Sequence, residues 1–255
     1  MLRHPAHIVE TAPSRQIGGR SIALREWDDP PYAAVGVKLN LERMRITMTK
    51  KERALACVEA LKKEYPDAIC SLRSQDPLQL LVATRLSAQC TDARVNLVTP
   101  ALFARYPDVD AFAEASVDEV GEMIRSCGLY RTKAESIVAM ANMLRDQYGG
   151  VVPDTVEELI KLPGIGRKTA NLICGDVYGK PAVVTDTHLI RIANRIGLVA
   201  VKDPYKVEME LKKLLPPQES NDFCHRVVLH GRAVCPARGP KCEGCCLSPY
   251  CQKNL

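Results

Sequence analysis

An all-α fold is predicted by three features of the sequence: helix-capping pairs recur along the chain, apolar residues stand at helical spacing between them, and aromatic strand formers are few. Aromatics are 5% of the 255 residues, and the apolar set is rich in Leu, Val, Ile and Ala, which suits packed helices better than a β-sandwich. A chain of this length can bury one large or two modest cores. The formal net charge of +5 permits nucleic-acid binding without requiring it.

Taken in order, residues 1–47 show no sustained helical period and carry Gly18-Gly19, Pro30-Pro31 and the only tryptophan, Trp27. They read as a disordered extension, with Met48 a possible alternative start of translation. From Thr49 onward, paired N-cap signals open helices: Thr49 with Glu52, Asp76-Pro77 with Gln79, Ser116 with Glu119, and Thr155 with Glu158. Between them run Leu55, Val58 and Leu61; Leu78, Leu81 and Val82; Val117, Val120 and Ile124; and Val156, Leu159 and Ile160. Tyr65-Pro66, Tyr106-Pro107, Gly149-Gly150 and Pro216-Pro217 end segments. The result is roughly ten short helices in two lobes, the first helix packing on the second lobe.

Pro163-Gly164-Ile165-Gly166 lies between two apolar-periodic segments and reads as a tight turn joining two helices. The free backbone amides of the second helix, with Arg167 and Lys168, suit a DNA phosphate, although a plain packing turn has the same outline. Downstream, Asp186 stands in VVTDTH, where it can cap the helix LIRIANRI.

Of eleven cysteines, six (57, 70, 90, 127, 174 and 224) are scattered and read as small buried apolar groups. Cys235, Cys242, Cys245 and Cys251 form C-x6-C-x2-C-x5-C. Four close thiolates suit an iron–sulfur cluster or tetrahedral zinc, and the uneven spacing favours iron–sulfur. Cys246 is the extra thiol, because adjacent residues seldom ligate one centre. Arg238 and Lys241 in the ligand loop are either phosphate contacts or solvated charges. Without a signal peptide or long apolar run, a soluble protein of a reducing compartment, the bacterial cytosol, is expected, with no membrane partner.

LPGIGRKTAN, VVTDTH, LHGRAVC and the cysteine spacing, with LSAQCTDARVN (86–96) and CGLYRTKA (127–134), together resemble the endonuclease III family over about 49–255. That family consists of helix-hairpin-helix DNA glycosylase/AP lyases with a 4Fe–4S cluster. The resemblance implies a six-helix barrel domain with the hairpin over 70–181, and a cluster domain from 48–69 plus 182–255. The DNA cleft would lie between them. It also implies that Lys168 is the nucleophile attacking the sugar C1′, and that Asp186 accepts a proton and stabilises developing positive charge. Cys235, Cys242, Cys245 and Cys251 would hold the cluster, with Gly164, Gly166 and Arg167 on the DNA backbone. Gln89 would fill the space of the extruded nucleotide and Leu129 would wedge between bases. Asp92 is a weaker base contact, and His188 and His230 are structural hydrogen-bonders. Arg85 departs from the apolar residue expected before LSAQ.

The implied function is removal of oxidised pyrimidines from duplex DNA by a monomer, followed by β-elimination at the abasic site. The rivals are a mismatch or alkylated-base glycosylase and a non-catalytic DNA clamp. Lys168 argues against relatives that carry serine or tyrosine there, and the cysteines argue against cluster-free 8-oxoguanine glycosylases.

Overall fold

The computed structural model describes residues 47–254. The expected disordered extension over 1–47 lies, but for Thr47, outside the described residues. Eleven α-helices are present among them and no strand, which bears out the all-α class. They are α1 Lys50–Glu64, α2 Pro77–Leu86, α3 Asp92–Arg105, α4 Val109–Ala113, α5 Val117–Met123 and α6 Tyr130–Tyr148. There follow α7 Val156–Leu159, α8 Arg167–Asp176, α9 Thr187–Ile196, α10 Pro204–Leu214 and α11 Ser220–Ala233. A 3₁₀ turn, Arg125–Cys127, leads into α6.

The capping signals act, but not all reciprocally. Thr49 and Glu52 form a full capping box on α1. Asp76 caps α2 through Gln79 N–H at 2.8 Å, while the Gln79 side chain reaches back to Gln75 N–H. Ser116 makes no side-chain cap on α5, and its expected partner Glu119 is held instead by Arg105 at 2.9 Å. Thr155 caps α7, whereas the Glu158 carboxylate takes Tyr148 and Lys161. Each of these carboxylates is taken by a cation or phenol within reach, and so does not return to the backbone amide of the cap residue.

Two buried apolar clusters organise the helices. The first is enclosed by α2 to α8 and includes Leu81, Leu86, Phe112, Ile137, Met140 and Ile173. Its longest helix, α6, ends on Gly149 in the left-handed region, and Gly150 N–H bonds back to Leu144 O at 2.9 Å. The second cluster joins α1, α9, α10 and α11. There α1 contributes Ala54, Cys57, Val58 and Leu61, so it packs with the C-terminal helices as expected. Each buried Leu or Ile adds about 1.5–3 kcal/mol relative to exposure. Leu55 and Ile160 are exposed, one position off the apolar stripes of their helices. On α9 the stripe is regular: Leu189, Ile192, Ala193 and Ile196 all face the core. Among the described residues no helix is long and apolar enough to cross a membrane.

Candidate functional site

The hairpin is α7, a turn over 160–166, and α8. Leu159, Leu162 and Ile165 anchor it in the first core, with Ile165 N–H bonding to Leu162 O at 3.1 Å. Gly164 sits at φ 78°, and a Cβ there would lie 2.7 Å from Arg85 Nε and 2.9 Å from Ser136 Cβ. Only glycine meets both demands. Arg85, the departure in the sequence, therefore runs beneath the turn, where its Nε donates to Ser136 Oγ at 2.7 Å. At Gly166 the conformation is extended and an added Cβ would meet no protein atom within 4 Å. Gly166 is the N-cap of α8 and supplies no side chain, so the first amides of the helix point outward uncapped.

Lys168 is exposed at the second position of α8. Asp186 is the N-cap of α9, its Oδ1 accepting from Leu189 N–H at 2.7 Å. The structure brings both to one open cavity of about 180 Å³, lined also by Ser87, Asp92 and Arg232. The cavity draws on both apolar clusters, since Leu172 and Val184 belong to the second and Leu72 to the first. Asp92 accepts from the Ser71 hydroxyl and from Arg232 at 3.3 Å, so it latches α3 to the end of α11. Arg232 was not singled out in the sequence, although it lies inside LHGRAVC.

Arg167 is placed differently from a simple phosphate contact. Its guanidinium forks onto Glu208 at 2.7 and 2.9 Å and stacks 4.7 Å over the Tyr205 ring. Lys212 adds a third bond to Glu208 at 2.7 Å. Burial pushes the Glu208 carboxyl up, but the bonds and charges of Arg167 and Lys212 outweigh it and hold it below the ordinary carboxylate value. Stability from this group is thus full above its ordinary pKa of 4.5 and is lost as pH falls through the lower folded value. Glu208→Gln is expected to cost about 2 kcal/mol in urea unfolding at pH 7 and progressively less as pH falls below the ordinary value of 4.5. That is less than the ~3–5 kcal/mol of a wholly buried pair, because the Arg167 and Lys212 side chains keep 34% of their exposure while Glu208 has none. An unchanged urea midpoint at pH 7 would assign the pair no net value.

Gln89 and Leu129 lie on two exposed turns and do not line the cavity. Both hold left-handed backbone, at φ 55° and 48°, and Leu129 is 59% exposed. Exposure of so large an apolar side chain excludes a core staple for Leu129.

The C-terminal cysteines surround a second, tighter cavity of about 30 Å³. Cys235, Cys242, Cys245 and Cys251 all line it, together with Ile192, Arg195, His230 and Leu247. Cys246 does not line it and packs against the second apolar cluster. Two donors point at these sulfurs, Arg195 Nη1 to Cys235 at 3.2 Å and Lys253 N–H to Cys251 at 3.3 Å, and His230 Nε2 lies 3.5 Å from Cys245 Sγ. Tyr65 holds the far side of His230 at 3.2 Å. Such donors suit thiolates that carry negative charge. Among the described residues, no three His, Cys, Asp or Glu side chains converge as ligands of one ion.

Arg191 connects the two sites, donating to Cys235 O at 3.0 Å, Gly231 O at 3.3 Å and His188 Nδ1 at 3.1 Å. Burial holds the His188 imidazole below its ordinary pKa, which leaves it neutral to accept that bond. His188 and His230 both hydrogen-bond within the fold, and neither lines the cavity of Lys168 and Asp186. Lys241 donates to Ala233 O at 3.2 Å, and Arg238 is exposed. Of the scattered cysteines, Cys57, Cys127, Cys174 and Cys224 are buried, while Cys70 and Cys90 are half-buried in connecting segments. Burial pushes the Cys224 thiol up to about 12, so it is inert as a nucleophile.

Residues 82–217 match the HhH-GPD superfamily of base excision DNA repair proteins. Endonuclease III of Synechocystis sp. is 47% identical over 209 residues, covering 82% of this chain and 95% of that protein. A solved non-covalent endonuclease III–DNA complex is similar at 41% identity and a TM-score of 0.76, covering 81% of this chain and 97% of that one. A trapped covalent endonuclease III–DNA intermediate matches to the same degree. With hairpin, cleft and cysteine cavity in one all-helical frame, the chain belongs to the endonuclease III family, within the HhH-GPD superfamily of base excision DNA repair proteins.

Proposed function

We propose that this chain excises oxidised pyrimidines from double-stranded DNA and nicks the resulting abasic site, as a bifunctional glycosylase and AP lyase. The observation that carries the reading is that Lys168 and Asp186 share one cleft beside the uncapped start of α8. Backbone amides there suit a phosphate, and Gly166 leaves room for it to approach. Arg167, neutralised by Glu208, adds to the hold through the helix start more than through its own charge.

In this reading the Lys168 amine lone pair forms a bond to the sugar C1′ as the C1′–N bond breaks, and the base leaves with that electron pair and is protonated. Lysine amines are ordinarily protonated at neutral pH. The Asp186 oxygen not used for capping is a proton acceptor of that cleft, which Asp92 also lines, and its charge stabilises the positive sugar. Ring opening gives a Schiff base, loss of a C2′ proton expels the 3′ phosphate, and hydrolysis returns the free amine. Gln89 and Leu129 support extrusion, because turns with exposed side chains can enter the stack and offset an unstacking cost of a few kcal/mol. The protein works as a monomer.

Cys235, Cys242, Cys245 and Cys251 would hold a 4Fe–4S cluster. The fit rests on their common cavity, on the Arg195 and Lys253 donors aimed at sulfur, and on the His230 imidazole beside Cys245. Such a group would act as a cross-link fixing the loop over 235–251. We read the chain as a barrel domain at 70–181 and a cluster domain from 48–69 plus 182–255; the two apolar clusters support this reading except at Leu172, which lies in the first range and packs in the second cluster. Chemical assay of purified protein is expected to find about four irons and as many acid-labile sulfides per chain. Stoichiometric zinc without iron would overturn the assignment.

The function is tested by incubating the protein with duplex DNA containing thymine glycol and adding borohydride, which reduces a Schiff base to a stable link. A covalent protein–DNA adduct is the expected result, and its absence would leave only a monofunctional glycosylase or a clamp.

A further inference from the structure

Lys133 is among the most deeply buried polar residues of the structure, with 1% of its surface exposed. Its ammonium donates to Leu86 O and to Cys127 O, both at 2.8 Å. Among the described residues it forms no ion pair, and burial holds its pKa below the ordinary lysine value. An ammonium buried without a counter-ion costs several kcal/mol, so packing alone would favour methionine here.

The two carbonyls show what that cost achieves. Leu86 ends α2, and its carbonyl is one of the orphan acceptors of a helix C-terminus, where a cation is favoured. Cys127 ends the 3₁₀ turn before Gly128. Each carbonyl is followed within three residues by a non-glycine residue in the left-handed region, Gln89 in one case and Leu129 in the other. Such backbone costs about 1–3 kcal/mol per residue and persists only where surrounding contacts over-determine it. A single ammonium therefore ties together the roots of both strained turns.

We propose that Lys133 is a positioning residue that couples the Gln89 turn and the Leu129 turn into one rigid tool for entering the base stack. The proposal rests on the insertion roles given above to those two residues. Lys133 touches no substrate. It acts by keeping the two turns at a fixed separation, so that filling the vacated space and wedging the stack occur together.

The test is single-turnover base release by the intact holoprotein carrying Lys133→Met, Leu129→Ala or both. The lesion is placed either in a paired duplex or in an unpaired bubble. Lys133→Met is expected to slow release from the duplex about tenfold or more, in the rate constant and not in KM. It should come within about threefold of wild type on the bubble, where unstacking is already done. The double variant is expected to be no slower than Leu129→Ala alone, because both act through the wedge. Lys133→Arg, which keeps the charge and the donors, should restore most of the rate.

Equal losses on duplex and bubble, additive losses in the double variant, or no loss at all would overturn the coupling role. Should Leu129→Ala leave duplex release unchanged, the insertion reading itself fails and takes this proposal with it. If Lys133→Met does not fold, judged by melting and iron content, Lys133→Gln takes its place under the same criteria.

Discussion

Lys168→Ala is expected to lose the borohydride-trapped adduct completely and to slow base release by about a thousandfold or more. At about 1.36 kcal/mol per tenfold, that is about 4 kcal/mol of lost transition-state stabilisation. The structure argues that the loss is chemical and not structural. Lys168 is exposed and packs into neither core, so its truncation should move stability by no more than about 0.5 kcal/mol. Its position at the start of α8 also predicts a modest effect on DNA binding, a reduction of about one in the slope of log K against log salt. Melting, salt-dependent binding and trapping together separate three possibilities. An adduct of undiminished yield would mean that another amine performs the chemistry. A large drop in melting temperature would mean that the lysine supports the hairpin.

What the sequence disclosed follows the range of the forces involved. Caps, stops and apolar stripes act within a few residues, so Thr49, Asp76, Gly149 and the stripe of α9 were legible, and so was the all-α class. Glu119 and Glu158 depart from expectation because distant side chains take their carboxylates, Arg105 at Glu119 and Tyr148 at Glu158. The site divides in the same way. Lys168 and Asp186 stand out through the family resemblance of the motifs that hold them, and the four cysteines through their spacing. The residues that hold them, Glu208 under Arg167, Arg195 and His230 at the cysteines, and Arg232 against Asp92, are ordinary side chains brought in from distant segments. No local pattern marks them. Arg85 is the instructive case, because its departure was visible in the sequence while its reason, the closeness of Gly164, exists only in three dimensions.

Asp186→Asn isolates the second functional group by changing one atom. Asp186 Oδ1 caps α9 through Leu189 N–H at 2.7 Å, and among the described residues no protein hydrogen bond is made to the other oxygen, the one to which the proposed reaction gives a role. Asparagine caps a helix about as well as aspartate, since its side-chain oxygen can take the same bond. The lost charge at the helix start costs about 0.3–1 kcal/mol by the dipole argument. Stability should therefore fall by less than about 1 kcal/mol, whereas Asp186→Ala, which removes cap and charge together, should lose more. Catalysis should behave otherwise. With its oxygen committed to Leu189 N–H, the asparagine turns its NH₂ into the cleft, where it can neither accept a proton from the amine nor favour a cationic sugar. Losing a general base is expected to slow base release about 10²- to 10⁴-fold. DNA affinity should not fall below wild type, because the change removes a negative charge facing the phosphates. Urea melts paired with single-turnover rates decide the matter. If Asp186→Asn turns over at the wild-type rate, Asp186 is a cap and nothing more, and the proton acceptor is another group of the cleft, such as Asp92, or a water. If instead rate and stability fall together, the helix start at Asp186 is what positions the site, and the carboxylate charge has no separate part in the chemistry.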